Sequence, residues 1–161
     1  MEPLEDSKFL LVPAKNMLIS KIEDELDRAQ KSISVVTSNK RFLDAVDIFS
    51  EAIEKALSRG VKFRIVTSNV KRTLSPAILE VGNNDPRIEV RYAPSDPKCA
   101  ATIIDKKEVL IITKPATELC CESPALWSNN SSLVNIVEDY FEILWMTTLE
   151  KPEHSINGNQ N

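Results

Sequence analysis

The sequence predicts an α/β fold in which a mixed, largely parallel sheet carries helices on both faces, and three observations point to it. Two β-branched runs, at residues 32–39 and 62–69, lie thirty positions apart and both close on Val-Thr-Ser-Asn. Between them, residues 41–59 have helical period and stop at Gly60, so strand, helix and strand form one right-handed parallel unit. Further on, Ala101-Thr102-Ile103-Ile104-Asp105 and Glu108-Val109-Leu110-Ile111-Ile112-Thr113 flank Lys106-Lys107 and read as a hairpin.

The remaining elements follow in chain order. Residues 1–12 read as a lead-in with one apolar patch, Phe9-Leu10-Leu11-Val12. Pro13 suits a first helical position, and Met17, Leu18, Ile22, Leu26 and Ala29 recur at helical spacing to about Gln30. The strand at residues 32–37 comes next. The second helix turns Phe42, Val46, Phe49, Ile53 and Leu57 inward and Asp44, Asp47, Glu51, Glu54 and Lys55 outward. After the second strand, residues 71–81 form a weaker helix interrupted by Pro76, and Gly82-Asn83-Asn84-Asp85-Pro86 is a turn. Residues 87–92 alternate polar and apolar as a half-buried strand. Residues 115–124 are a loop holding Cys120-Cys121, Ala125-Leu126-Trp127-Ser128 is a last short strand, and Asn129-Asn130-Ser131 caps a helix with Leu133, Val137, Phe141, Leu144 and Trp145. The overlapping glycosylation sequons there read as caps, and Tyr140, Phe141 and Trp145 as core rings rather than a stacking platform. A polar tail follows, so the expected organisation is a lead-in at 1–12, one domain at 13–149 and a disordered tail at 150–161.

Composition narrows the class. A chain of 161 residues buries roughly 70% of its unfolded surface in one domain. Hydrophobic residues make up 42% and charged ones 27%, ordinary for a globular protein. No apolar run approaches the ~20 residues of a membrane span, and the acidic start lacks the pattern of a signal peptide. Three cysteines (Cys99, Cys120, Cys121) imply no disulfide framework and a reduced, cytoplasmic protein. Residues 60–114 hold ten Lys/Arg against six acids, whereas the whole chain carries −4. That centre is too sparse for a DNA-binding face but suits a small anionic or polar ligand.

Where that ligand would sit follows from the parallel unit. Its two Thr-Ser-Asn ends emerge at the carboxyl edge of the sheet, where open α/β sheets bind ligands. The candidate ligand-binding residues are therefore Thr37, Ser38, Asn39, Thr67, Ser68 and Asn69. The same residue types also serve as caps and turn formers, and both readings stand at this point. With three glycines there is no Gly-rich phosphate loop, and neither a metal site nor a cofactor is expected. Cys120-Cys121 reads as an inert pair, with oxidation sensing as the alternative if a thiolate lies exposed beside a lysine.

One resemblance adds to this reading. Lys98-Cys99-Ala100-Ala101-Thr102-Ile103-Ile104-Asp105 has the outline of the phospholipase D superfamily motif His-x-Lys-x-x-x-x-Asp. More closely, the chain resembles the effector-binding domain of the TrmB-type transcriptional regulators of archaea, itself similar in fold to that superfamily. The resemblance rests on Ala29-Gln30-Lys31-Ser32-Ile33, Ile104-Asp105, Ala125-Leu126-Trp127-Ser128-Asn129-Asn130 and Phe141-Glu142-Ile143-Leu144-Trp145, and covers about residues 10–149. It implies a phospholipase D-like fold and no catalysis. Lys98 stands where the nucleophilic His belongs and Ala100 where the Lys belongs, leaving Asp105 as the one match. The next motif would fall near Thr113-Lys114-Pro115-Ala116, which shares nothing with it. The sole histidine, His154, lies in the tail, whereas a phosphohistidine mechanism needs an imidazole nucleophile in the site.

The expectation is thus a non-catalytic ligand-sensing and dimerisation domain of a transcriptional regulator, forming a homodimer. A small polar or anionic metabolite would lie at the sheet edge, with Lys98 supplying charge and Asp105 nearby. Such regulators carry a winged-helix domain ahead of this region and this chain has none, so DNA would be a partner only indirectly. The alternatives are a purely structural dimerisation module with an empty crevice, or a residual phosphodiesterase-like hydrolase.

Overall fold

The computed structural model describes residues 6–68, 85–112 and 119–148. Among them seven strands build one sheet: β1 Phe9–Val12, β2 Ser32–Val36, β3 Lys62–Ser68, β4 Ile88–Ala93, β5 Ala100–Ile104, β6 Glu108–Ile112 and β7 Ala125–Ser128. Three helices pack on it, α1 Asn16–Arg28, α2 Asn39–Ser58 and α3 Ser131–Thr147. The strand order is β1-β7-β6-β5-β2-β3-β4.

The sheet is mixed, as expected, but its balance differs from the expectation. Only β2–β3 and β3–β4 pair in parallel, while β1–β7, β2–β5, β5–β6 and β6–β7 are antiparallel. The parallel half is the unit marked by the matching tetrapeptides. In the antiparallel half β5 and β6 form a tight hairpin, while β1–β7 and β2–β5 join strands distant in sequence. A second correction concerns the N-terminus. Phe9–Val12, expected in a lead-in ahead of the domain, is edge strand β1, with Phe9 opposite Ser128 and Val12 opposite Ala125. The Lys8 N–H donates to the Asn129 side chain at 2.7 Å, and the Ser128 hydroxyl donates to the Lys8 carbonyl at 2.7 Å, fastening this segment to β7.

Helices cover both faces. On one, α1 and α2 bury Leu18, Leu26, Phe42, Phe49 and Leu57 against Ile33, Phe63, Ile65 and Leu110. On the other, α3 buries Val134, Val137, Phe141 and Trp145 against Val36, Val66, Ile103 and Val109. Alternation along β2 and β3 divides these sets, since successive side chains point to opposite faces. α1 begins at Asn16 rather than at Pro13. α2 runs from Asn39 with non-helical backbone at Phe49, and is stopped as the sequence implies: Gly60, at φ +90, donates to the Leu57 carbonyl, and Val61 donates to that of Ala56. The Arg59 guanidinium in turn satisfies the Leu26 and Ala29 carbonyls at the end of α1, at 2.6 and 2.9 Å. Across the opposite face, Arg64 forms a two-pronged pair with Glu142 and lies 4.8 Å from the Phe141 ring centroid, while Arg91 lies 4.2 Å from that of Trp145. These contacts pin α3 over the parallel half. The aromatic rings of α3 belong to the core, as expected. The helix expected at 71–81, most of the turn at 82–86, Thr113-Lys114-Pro115-Ala116 and the tail at 150–161 lie outside the described residues.

Candidate functional site

Register fixes which residues share the carboxyl edge of the parallel strands. β2, β3 and β4 end there, and antiparallel β5 begins there, with Ala101 opposite Val36. The edge therefore gathers Thr37, Ser38 and Asn39 after β2, Thr67 and Ser68 at the end of β3, the 94–97 segment after β4, and Lys98 before β5. Thr37, Ser38, Asn39, Thr67 and Ser68 are buried and Lys98 is exposed. Asn69 lies outside the described residues.

The polar groups at this edge are largely committed to one another. The Ser38 side chain accepts from the Arg41 N–H at 3.3 Å, the N-cap of α2. The Asn39 amide donates to the Ser68 carbonyl at 3.3 Å. Most informative is Asp96, a residue the sequence reading did not single out. Its carboxylate accepts from the Ser68 hydroxyl in a short hydrogen bond and from the Asn39 backbone N–H at 3.2 Å. Asn39 is the first residue of α2, and a helix N-terminus favours negative charge. The chain's own carboxylate thus takes an anion position at the edge where the two matching tetrapeptides end. The signal for it was available: Ser95-Asp96-Pro97 is a turn former directly after a strand. Thr67 is fully buried and its hydroxyl oxygen has no hydrogen-bond partner among the described residues.

Asp105 does not join this group. Its N–H donates to the Ser32 carbonyl, which places it at the opposite edge of the sheet, where β2 starts. There its carboxylate accepts from the backbone N–H groups of Gln30, Lys31 and Ser32, at 2.7–3.2 Å. Burial alone would raise this carboxyl, but those three donors outweigh it and hold it below the ordinary value of 3.8. The residue that matches the family motif is therefore a clamp between the β5–β6 turn and the start of β2, and the expectation of Asp105 beside the ligand is corrected.

A second concentration of charge sits near the same far edge. Glu25 on α1 is buried; Lys21 Nζ and Arg28 Nη2 approach it at 3.2 and 3.6 Å. Arg28 also reaches Glu108 at 3.6 Å, and the Trp127 indole donates to Glu108 at 3.0 Å. Burial first, then the neighbouring Glu108, push the Glu25 carboxyl from 4.5 up to about 7, against the pull of Lys21. Nothing in the sequence marked it, because a helix that is charged over most of its surface hides one inward acid.

The cysteine pair is partly withdrawn from solvent. The two sulfur atoms lie 3.2 Å apart, and Cys121, at φ +68, is buried. The hydrogen bond between the two thiols lowers Cys120 despite burial, and the same bond followed by burial raises Cys121. Among the described residues no group of three or more His, Cys, Asp and Glu is disposed to hold a metal ion. No helix among them is long and apolar enough to cross a membrane.

With this geometry in view, the comparisons are informative. The family model described as the N-terminal subdomain of the effector-binding domain (EBD) of transcriptional regulator TrmB matches residues 9–149. No curated protein matches the chain significantly. Among solved structures, the chain is similar to TrmBL2, described as an archaeal chromatin protein with a novel mode of DNA binding, at TM-score 0.68 and 19% identity over 92% of this chain. It spans 56% of that protein's length. It is also similar to NucT from Helicobacter pylori (TM-score 0.66, 15% identity, 91% of this chain and 99% of that one). A third match is Nuc from Salmonella typhimurium, a phospholipase D family member (TM-score 0.65, 17% identity, 92% of this chain and all of that one). At these identities the structural likeness establishes the fold, which is phospholipase D-like.

Proposed function

The chain belongs to the family of TrmB effector-binding N-terminal subdomains, and on that premise we propose that it is a non-catalytic sensing domain of a transcriptional regulator, acting as a cytoplasmic homodimer. The observation that carries the proposal is the Asp96 carboxylate at the start of α2, held by Ser68 and Asn39. A small polar metabolite bearing a carboxylate or phosphate would displace Asp96, take over the Ser68 hydroxyl and the Asn39 N–H, and gain the exposed ammonium of Lys98. Thr37, Ser38, Thr67 and Asn69 would line the same crevice. Displacement would free the 94–97 segment, giving two states with unequal affinity for the effector, the requirement for any ligand-driven shift. DNA contact would belong to a winged-helix domain outside this region, whether attached or separate. Chemistry is not part of the role. Lys98 and Ala100 occupy the positions of the motif's nucleophile and its lysine, and neither side chain can form a phosphohistidine.

A thermal-shift screen of sugars, sugar phosphates, nucleotides and organic acids tests this reading. A cognate anion at 100 times its dissociation constant stabilises the fold by ~2.7 kcal/mol. Asp96→Asn removes the competing charge and should tighten that anion's binding, whereas Ser68→Ala should weaken it. A flat screen, together with unchanged behaviour of both variants, would remove the sensing role. It would leave the structural dimerisation module, which the exposed apolar residues Phe9, Leu11, Ile143 and Met146 favour.

A further inference from the structure

Beneath α1 and α2 lies a cavity of about 140 Å³, apolar in character and reaching Thr37 at the carboxyl edge of β2. Its walls are almost wholly apolar: Ile22 and Leu26 from α1, Phe42 and Phe49 from α2, Ile33 and Ile65 from the sheet. Apolar cavities of this size stay dry, and an engineered one of about 150 Å³ lined by Leu, Ile and Phe takes up benzene. Close packing normally leaves few voids larger than a water molecule, so a space of this size among the described residues is large enough to admit a small apolar molecule. Two buried charged residues, Arg41 and Glu25, interrupt that lining. Glu25, 2% exposed, lines the cavity, its carboxyl within ion-pair distance of Lys21 and Arg28 at one end only.

We propose that this cavity is a binding site for a small aromatic or branched aliphatic molecule carrying one hydrogen-bond donor. The apolar body fills the space between Phe42, Phe49 and Ile65, and the donor, a hydroxyl or an amine, meets the Glu25 carboxyl. The volume limits the body to about the size of benzene. A carboxylate turned toward Glu25 would set a second negative charge against it in a low-dielectric wall, so an acid is disfavoured at that end and could turn only toward Arg41, which also lines the cavity. Occupancy would wedge α1 and α2 against β2 and β3, the strands whose far ends form the Asp96 crevice. The site and the edge crevice are nevertheless independent in their tests.

Benzene, phenol and benzoate are the probes, measured with the full chain by thermal shift and by chemical-shift mapping. Benzene and phenol should each bind saturably, raise the melting temperature by about 4 °C at ten times the dissociation constant, and perturb Ile22, Ile33, Val46 and Ile65. Benzoate should bind more weakly than phenol. Ala45→Phe fills the cavity and should abolish both effects. Should that variant fail to fold, the map in the native protein decides, since shifts confined elsewhere overturn the site. Glu25→Gln should leave benzene binding intact and reduce the preference for phenol over benzene several-fold; an unchanged preference removes Glu25 from the site. Absence of saturable binding by benzene and phenol overturns the proposal as a whole, and leaves the response of Asp96 variants to anions untouched.

Discussion

Asp105 shows how one side chain can hold a turn and a distant strand together. Three backbone N–H groups, at Gln30, Lys31 and Ser32, would lose their acceptor in Asp105→Ala. The variant should be destabilised by about 1–3 kcal/mol in urea melts, with Asp105→Asn less affected because its amide oxygen still accepts and Asn tolerates the φ of +53. The carboxyl titrates lower in the fold than in the unfolded chain. Its stabilisation is therefore present above the unfolded value of 3.8 and is lost as pH falls through the folded one, a loss that Asp105→Asn should not show. Glu25 works in the opposite sense. Raised from 4.5 to about 7 in the fold, it favours the native state below pH 4.5, and that contribution drains away as pH rises through 7. Denaturation midpoints should fall between pH 5 and pH 8 by an amount corresponding to on the order of 2–3 kcal/mol, and Glu25→Gln should flatten this slope. A wild-type profile that is level across this range would show that Glu25 keeps its charge inside. Neither role was readable from the sequence. Asp105 was visible only as part of a motif, and its true partners stand more than seventy positions away.

At the scale of elements, local chemistry was the more legible. The β2–α2–β3 unit followed from its repeated ending and from Gly60, both short-range signals. The cap at the start of α3 also followed, with Asn130 accepting from the Leu133 N–H at 3.0 Å. Asn129 instead holds Lys8, a contact across 121 positions that no local pattern encodes. Ser38→Ala and Asn130→Ala should each cost about 1 kcal/mol in thermal melts, and a null effect would mean that tertiary packing alone fixes those helix starts. β1 was missed for a physical reason. Four residues are too few for a periodicity, and Phe9, Leu10 and Leu11 are exposed in this edge strand, so they look like an apolar patch rather than one inward face. Pro13 suggested an early helix start, but the chain first spends residues leaving the sheet.

For the whole molecule, the sequence conveyed class and layering but overstated the parallel share, because β5, β6 and β7 pair through antiparallel contacts that alternation alone does not orient. The two tetrapeptide ends share one edge of the sheet, as their spacing implied, but the carboxylate that meets them comes from the loop after β4, which strand periodicity does not place there. Electrostatics at the two edges of the sheet differ in kind: one holds Asp96 on a single backbone N–H and a hydroxyl at a helix start, the other holds Asp105 on three backbone N–H groups at a strand start, with Glu25 and Glu108 on the same side. That asymmetry comes from topology rather than net charge, since the chain as a whole carries only −4.

β2 is laddered on both sides, to β3 and to β5, and is sealed by a helix layer above and below. Its amides should be the last to take up deuterium, at a rate governed by global unfolding, whereas those at the β1 margin should exchange within the earliest time points. The chain would thus come apart from its rim inward, with the two strands that bracket the cavity keeping their protons after everything around them has let go.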